Sequence, residues 1–489
     1  MPIGETLPNE RNQVSSMSPI LKQTFIVSFF SVSILYSGIA LGQAPDWQQY
    51  QNVATRIIQT TRQSNDAYIK LQELCDDIGH RLSGSESLEQ AIDWAIASLN
   101  SDGHQNVRKE KVMVNKWVRG KEFVQMVKPR EMNFPMLGLG GSIGTAGKEL
   151  TAPVVVVDSK DKLDELSDDQ VKGKIVVFNF PMPAYSETEG SGYGAAVRYR
   201  GSGAKWAAER GGIAALVRSV TAYSLQSPHT GAMSKYTAEF EKVPAAAISI
   251  EAATMLKRLQ DRGKQPEVTL YMEAKDHGEV PSANVVAEIV GSEKPDEIVL
   301  IGGHIDSWDV GQGAQDDGCG CVVAMEALNV IRKLGLKPKR TIRVVLWTNE
   351  ENGLAGARSY AARHVNENHV AAIESDSGGF KPQGLSIEMQ GDDEERIAVE
   401  QLGKVLSLLG KVGSTRATTG YSGADVNPLK ETGTACMGLR VDGRLYFNTH
   451  HTHADTVDKV DPDELTDCVA TLATAAFVIA DLPKRLGSE

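Results

Sequence analysis

The sequence predicts an α/β protein: a mostly parallel central sheet flanked by helices, with a second, smaller α/β module in the middle of the chain. Three observations carry this. Between residues 284 and 376, near-continuous apolar strands alternate with helical stretches, as "NVVAEIVG", "EIVLIGGHID", "CGCVVAMEALNVIRKLG", "TIRVVLWT", "GLAGARSYAARHV" and "VAAIESD". Strands that are apolar on both faces and separated by helices belong to a sheet covered on both sides. Around residue 130 the texture changes to short β-runs and glycine-rich turns, "FPMLGLGGSIGTAGKELTAPVVVV" and "GKIVVFNFP", followed by a segment read as helical, "AKWAAERGGIAALVRS". That stretch has the composition of a compact module of its own, residues 131–275. With 489 residues, the chain is also too long for one ordinary core.

Taken in order, the chain begins with a targeting signature. Lys22 precedes the apolar "TFIVSFFSVSILYSGIALG", after which "QAPDWQQY" turns polar. This pattern predicts a signal peptide over residues 1–42, cleaved near Gly42-Gln43, with Met17 as an alternative start. A secreted or periplasmic protein follows, with no stable membrane association once the signal is removed. From Trp47 to Leu99 the apolar spacing is helical, interrupted by the loop "CDDIGHRLSGSES". "VRKEKVMVNKWVRG" reads as a strand, and the polar "AKDHGEVPSA" reads as the boundary after the middle module. The larger body is therefore discontinuous, residues 43–130 and 276–489.

Composition narrows the partners. The formal net charge of -12 disfavours nucleic acid and anionic membrane surfaces. The five cysteines form no CxxC pair, which argues against a structural zinc knuckle, and the odd count leaves at least one thiol free. Cys319 and Cys321 sit as alternate residues at a helix start, a poor geometry for bonding to each other.

In open α/β sheets, ligands bind beyond the carboxyl ends of the strands. His304 and Asp306 follow one predicted strand, Glu350 and Glu351 a second, and Asp376 a third. Asp316 and Asp317 lie in "GQGAQDDG" before a helix, and a last strand, "ACMGLRVDG", leads to "NTHHTHADT". A single strand-end Asp is commonly a helix cap and a single Glu is usually solvated. Five such elements at successive strand ends are harder to assign to solvation, because crowded carboxylates repel unless cations lie between them. Mixed imidazole and carboxylate donors suit zinc, with cobalt or manganese as further candidates. Three carboxylates and a hydroxide nearly neutralise two divalent ions, the balance of a two-metal hydrolytic site. Neighbouring side chains in extended backbone point to opposite sides, so Glu350 and Glu351 are expected to take different roles.

The segments "GGHIDSWDVGQGAQDDG", "WTNEENGLAG", "ESD" and "HTHADT" together resemble the co-catalytic zinc peptidases of family M28, and within it the carboxypeptidase Q type of branch. The resemblance covers the chain from about residue 49 and implies a zinc exopeptidase fold with an inserted protease-associated domain. It implies two zinc ions per subunit. His304 and Asp376 would bind one, Glu351 and His451 the other, with Asp316 bridging and Asp317 a structural neighbour. Glu350 would be the general base and then acid, acting on a metal-bridging hydroxide. The family's histidine precedes an Asp-Thr by four positions, which selects His451 over His450 and His453; these two either contact substrate or pack. Asp306 would orient the His304 imidazole, and Tyr421 in "TGYSGAD" would donate to the developing oxyanion. The implied substrate is a dipeptide or other short peptide, cut from either end, and a homodimer is expected. Glutaminyl cyclases, with one zinc, and receptor-like binding proteins are the alternatives within the same resemblance. The middle module is expected to shape access to the site or to support dimerisation, against the alternative of a solvated appendage.

Overall fold

The computed structural model describes residues 45–488; the predicted signal segment lies outside them. Sixteen strands form two sheets among the described residues. They are β1 (Gln105–Val118), β2 (Glu122–Lys128), β3 (Met132–Phe134), β4 (Met136–Gly138), β5 (Leu150–Val157), β6 (Ile175–Phe178), β7 (Ala214–Arg218), β8 (Ala245–Ile248), β9 (Glu267–Met272), β10 (Lys275–Ile289), β11 (Lys294–His304), β12 (Arg340–Trp347), β13 (Asn368–Glu374), β14 (Pro382–Glu388), β15 (Arg416–Thr419) and β16 (Ala435–Val441).

The main sheet has the order β1-β10-β12-β11-β13-β16-β14-β15. Its centre, β12-β11-β13-β16, is parallel, as is β14-β15; β1-β10, β10-β12 and β14-β16 are antiparallel. The central strands alternate between two buried faces. Ile342, Val344 and Leu346 of β12 point into a core shared with the helices Trp47–Arg62, Cys319–Lys333 and Pro462–Asp481, while Val345 and Trp347 pack with Tyr360 on the other face. Strands buried on both sides need no polar alternation, which is why the sequence shows nearly unbroken apolar runs. The long last helix starts where Asp461 accepts hydrogen bonds from the Asp463 and Glu464 N–H groups and Pro462 takes the first turn.

The second sheet, β3-β2-β9-β5-β6-β7-β8-β4, lies wholly between Glu122 and Met272. Three readings of the sequence change here. β2, which precedes the expected boundary at residue 130, pairs with β9 and belongs to this sheet. "IAALVR" leaves the helix Tyr193–Glu209 at Gly211, whose φ of +73° ends the helical path, and becomes β7 between β6 and β8. "AKDHGEVPSA" is no linker: it forms the first part of β10 and pairs with β1, from Lys275 opposite Val118 to Glu279 opposite Asn115. Its side chains from Lys275 to Glu279 are exposed, so composition reads as loop while the backbone ladder with β1 makes it strand.

All five cysteines are free and buried. Among the described residues no helix is long and apolar enough to cross a membrane.

Candidate metal centre and substrate cavity

The parallel register sets the site. His304 is level with Trp347 of β12, and Gly302 with Glu374 of β13, so the residues that follow these strands emerge side by side. β11 delivers His304, which is 1% exposed. Its Nδ1 lies 2.9 Å from the Asp306 main-chain oxygen. An N–H donated there leaves the Nε2 lone pair facing the site, 3.3 Å from Asp316 Oδ1 and 3.6 Å from Asp376 Oδ1. The loop after β16 delivers His451 in the same manner. Its Nδ1 is 3.2 Å from the Thr230 main-chain oxygen, and its Nε2 is 3.1 Å from Asp316 Oδ2 and 3.0 Å from Glu351 Oε2.

Asp316 therefore presents one carboxylate oxygen to each imidazole, and its Oδ2 is buried without a hydrogen-bond partner. Two donors bound to one tetrahedral zinc at ~2.0–2.2 Å stand roughly 3.3–3.5 Å apart. The observed spacings of 3.0 to 3.6 Å bracket this value, so the residues fit two such ions sharing Asp316. Against the opposing effect of burial, the Glu351 and Asp316 carboxylates push His451 up to about 9. Asp316 itself, likewise against burial, is held well below the usual carboxylate range by His304 and His451.

Asp317 also lies within ligand distance of His304 and Asp376. Both its oxygens are engaged, however: Oδ2 accepts from the His304 N–H at 3.0 Å and Oδ1 from the Gly320 N–H at 3.0 Å. It is a brace between β11 and the helix behind it, in keeping with the expected structural role. The brace requires glycine at two positions, since a Cβ at Gly303 would stand 2.4 Å from Asp317 Oδ2 and one at Gly320 would stand 1.8 Å from the Ser375 oxygen.

Glu350 and Glu351 part as expected. Glu351 Oε1 accepts from the Trp308 N–H at 3.2 Å while Oε2 faces His451. Glu350 lines the open cavity, its Oε2 4.0 Å from His304 Nε2. Burial, with the Asp376 and Glu351 carboxylates, pushes the Glu350 carboxyl well above its usual range.

Asp306 differs from expectation. Its main-chain oxygen, not its carboxylate, holds His304 Nδ1; the carboxylate is 3.8 Å away and instead accepts from the Glu350 N–H (3.0 Å), the Glu351 N–H (3.3 Å) and Ser83 Oγ (3.2 Å). The chain turns beyond His304, so the side chain of residue 306 leaves the strand and reaches the loop after β12. Asp455 does similar work on the other side, accepting from the Gln315 and Asp316 N–H groups at 2.8 and 3.2 Å.

Tyr421 stands in the cavity wall, 54% exposed, with its main-chain oxygen accepting from Ser386 Oγ and Arg440. His450 stacks on His451 with ring centroids 3.5 Å apart, its Nε2 3.5 Å from Asp316 Oδ2, whereas His453 faces solvent. Two buried carboxylates were not anticipated. Glu374 accepts from the Ala424, Asp425 and Val426 N–H groups and, through burial, is pushed up to about 8; Asp425 has both oxygens buried without a partner. A glutamate closing an otherwise apolar strand, in "AAIESD", was the only signal for the first.

The cavity measures about 480 Å³, and the middle module supplies part of its wall through Tyr193 and Arg200. Tyr193 stacks on Phe447 of the loop after β16 with centroids 4.7 Å apart. The Thr230 N–H also donates to the His451 main-chain oxygen at 3.0 Å. The module is thus packed against the site.

This constellation at the end of a mixed α/β sheet has the donors of a metallopeptidase centre, and comparison with known proteins places the chain. The profile described as "Peptidase family M28" matches residues 284–476. The chain is 42% identical over 442 residues to carboxypeptidase Q of Bos taurus, covering 89% of this chain and 90% of the relative. It is 42% identical over 424 residues to carboxypeptidase Q of Homo sapiens, covering 86% and 87%. A crystal structure of a peptidase M28 precursor from Shewanella amazonensis SB2B superimposes with a TM-score of 0.85 at 36% identity, covering 90% of this chain and 98% of that one. The chain belongs to peptidase family M28 and is a metallopeptidase.

Proposed function

We propose that the protein is an exported zinc exopeptidase with two zinc ions per subunit, hydrolysing dipeptides or short peptides. The observation that carries this is Asp316, whose two oxygens each face a histidine Nε2, with Asp376 completing one donor group and Glu351 the other. Bound there, zinc lowers the pKa of a water molecule and polarises the scissile carbonyl.

The chain's own residues account for the rest. Glu350, adjacent to the ligand Glu351 but turned into the cavity, takes the proton of the attacking water and returns it to the leaving amine. Burial raises its proton affinity, which suits a group that must both accept and donate a proton. Asp306 pins the two glutamates by their main-chain N–H groups, so base and ligand move as one unit. The Tyr421 hydroxyl, on the cavity wall, is assigned to the carbonyl oxygen as charge builds on it. A volume of about 480 Å³, enclosed partly by the middle module, suits a short peptide better than an unfolded chain. The relatives' name, carboxypeptidase, supports substrates with a free carboxyl end. The apolar, serine-broken stretch before residue 43 supports export.

The test is hydrolysis of free dipeptides beside their amino-acetylated and carboxy-amidated forms, with zinc counted per chain by elemental analysis. Cleavage of the free series and of one blocked series identifies the end that is read. A protein that holds zinc and cleaves none of them sinks the proposal.

A further inference from the structure

We infer that the middle module is a working part of the zinc site: Arg200 is a positioning residue that, through Thr230, holds the imidazole of His451 in its metal-binding orientation. The inference rests on zinc as the bound metal and on His451 as one of its ligands.

The contact is two-sided. Thr230 and His451 are 221 residues apart, yet the Thr230 N–H donates to the His451 oxygen at 3.0 Å and the Thr230 oxygen stands 3.2 Å from His451 Nδ1, placed to accept its proton. One residue of the module thus contacts both the main chain and the ring of the ligand. His451 has a φ of +62°, a conformation that L-residues rarely hold without such restraint.

Arg200 bears on where the Thr230 carbonyl points. On the helix Tyr193–Glu209 and 8% exposed, it donates from Nη1 to the same Thr230 oxygen at 3.4 Å and from Nη2 to the Tyr193 hydroxyl at 2.7 Å. Its Nη1 stands 3.3 Å from His451 Nδ1. A carbonyl oxygen has two lone pairs, so the Thr230 oxygen can accept from the guanidinium and from an Nδ1–H together. With Nδ1 protonated, only Nε2 is left to bind metal.

Two further features fix the surroundings of the guanidinium, whose Nε is buried without a hydrogen-bond partner. Gly231 has a φ of +137°, and a Cβ there would stand 2.4 Å from Arg200 Cζ and Nη1. The Thr230 hydroxyl is tied down separately, donating to the Gly138 oxygen at 2.7 Å and accepting from Arg119, which itself forks onto Asp309 in the loop after β11. Arg200 has no carboxylate partner within 4.0 Å among the described residues, so neutralising a buried acid does not explain it. A planar fork with donors in two directions does, and lysine cannot reproduce it.

Removing outer partners of metal-bound histidines typically lowers metal affinity ~10–100-fold. In the full chain, Arg200→Met is expected to weaken zinc binding by that factor at one of two equivalents, read by competition against a chromophoric chelator, and to leave the other within about twofold. Arg200→Lys keeps the charge without the fork and should lie between. Gly231→Ala, which displaces the guanidinium, should match Arg200→Met. Thermal melting of the metal-free forms separates positioning from folding: the inference expects Arg200→Lys to melt with the wild type while binding zinc more weakly. Unchanged zinc affinity in Arg200→Lys and Arg200→Met overturns it, as does a change confined to KM with affinity intact, which would make Arg200 a substrate contact. If the wild type holds a single zinc, the two-ion reading falls, while weakened binding in the variants still supports the positioning role.

Discussion

Glu350→Gln is the sharpest test of how the adjacent glutamates divide their work. The substitution keeps the side chain's size and leaves the Glu350 main-chain N–H on Asp306 Oδ1 at 3.0 Å, so the loop after β12 has no reason to move. Glu350 Oε2 stands 4.0 Å from His304 Nε2, whereas Glu351 Oε2 stands 3.0 Å from His451 Nε2, so the amide removes a proton acceptor and no metal donor. General acid–base groups contribute ~10²–10⁴ in rate, or about 2.7–5.4 kcal/mol of barrier at 1.36 kcal/mol per decade. The assay is kcat on a free dipeptide at saturating zinc, with zinc counted in the same sample. The expected outcome is a kcat at least a hundredfold lower with an unchanged zinc count. A kcat within tenfold of wild type at full zinc removes Glu350 from proton transfer, and a lost zinc equivalent makes it a ligand.

Asp306→Asn should weaken both fold and activity: an amide cannot accept from the Glu350 and Glu351 N–H groups and Ser83 at once, and one buried donor left alone costs about 1–3 kcal/mol. Chemical denaturation of the zinc-loaded variant reads the first effect and kcat the second; an undisturbed kcat would show that the glutamate pair needs no such restraint. His451→Ala should lose one zinc equivalent while His304 and Asp376 keep the other, measured by elemental analysis after dialysis; loss of both, or of neither, contradicts the division of ligands. In the metal-free chain, burial pushes Glu351 and Asp455 up to about 7 and Glu374 up to about 8, against an unfolded value of about 4. The native state then binds more protons than the unfolded one between those limits, so this stability is full below about pH 4 and is lost as pH rises through 7 and 8. The chelated protein should melt at a lower temperature at pH 8.5 than at pH 6, and a flat or rising melting temperature would contradict those shifts.

Several contacts explain why some roles were legible in the sequence and others were not. Glu350 and Glu351 could be separated beforehand because backbone geometry alone turns adjacent side chains apart. His304, Asp316, Asp376 and the "HTHADT" loop were found because topology places strand ends together, a rule that needs no coordinates. The role of Asp306 was half right: its connection to His304 runs through the main chain, and a carboxylate's choice among N–H groups depends on a turn that local pattern does not encode. The polar half of β10 was missed for a related reason, since a ladder partner 157 to 164 residues upstream supplies hydrogen bonds that its side chains do not advertise.

The sequence by itself determined the class of fold, the donor types and their assignment to strand ends, because hydrophobic periodicity and motif spacing are properties of local chain. Only the tertiary structure decided that a carbonyl of the middle module, at Thr230, holds the ring of His451, and that Arg200 and Tyr193 close the cavity beside it. The carbonyl belongs to every residue alike and carries no signature in composition. Its effect arises from being held, by packing between two sheets far apart in sequence, at hydrogen-bond distance from one imidazole nitrogen.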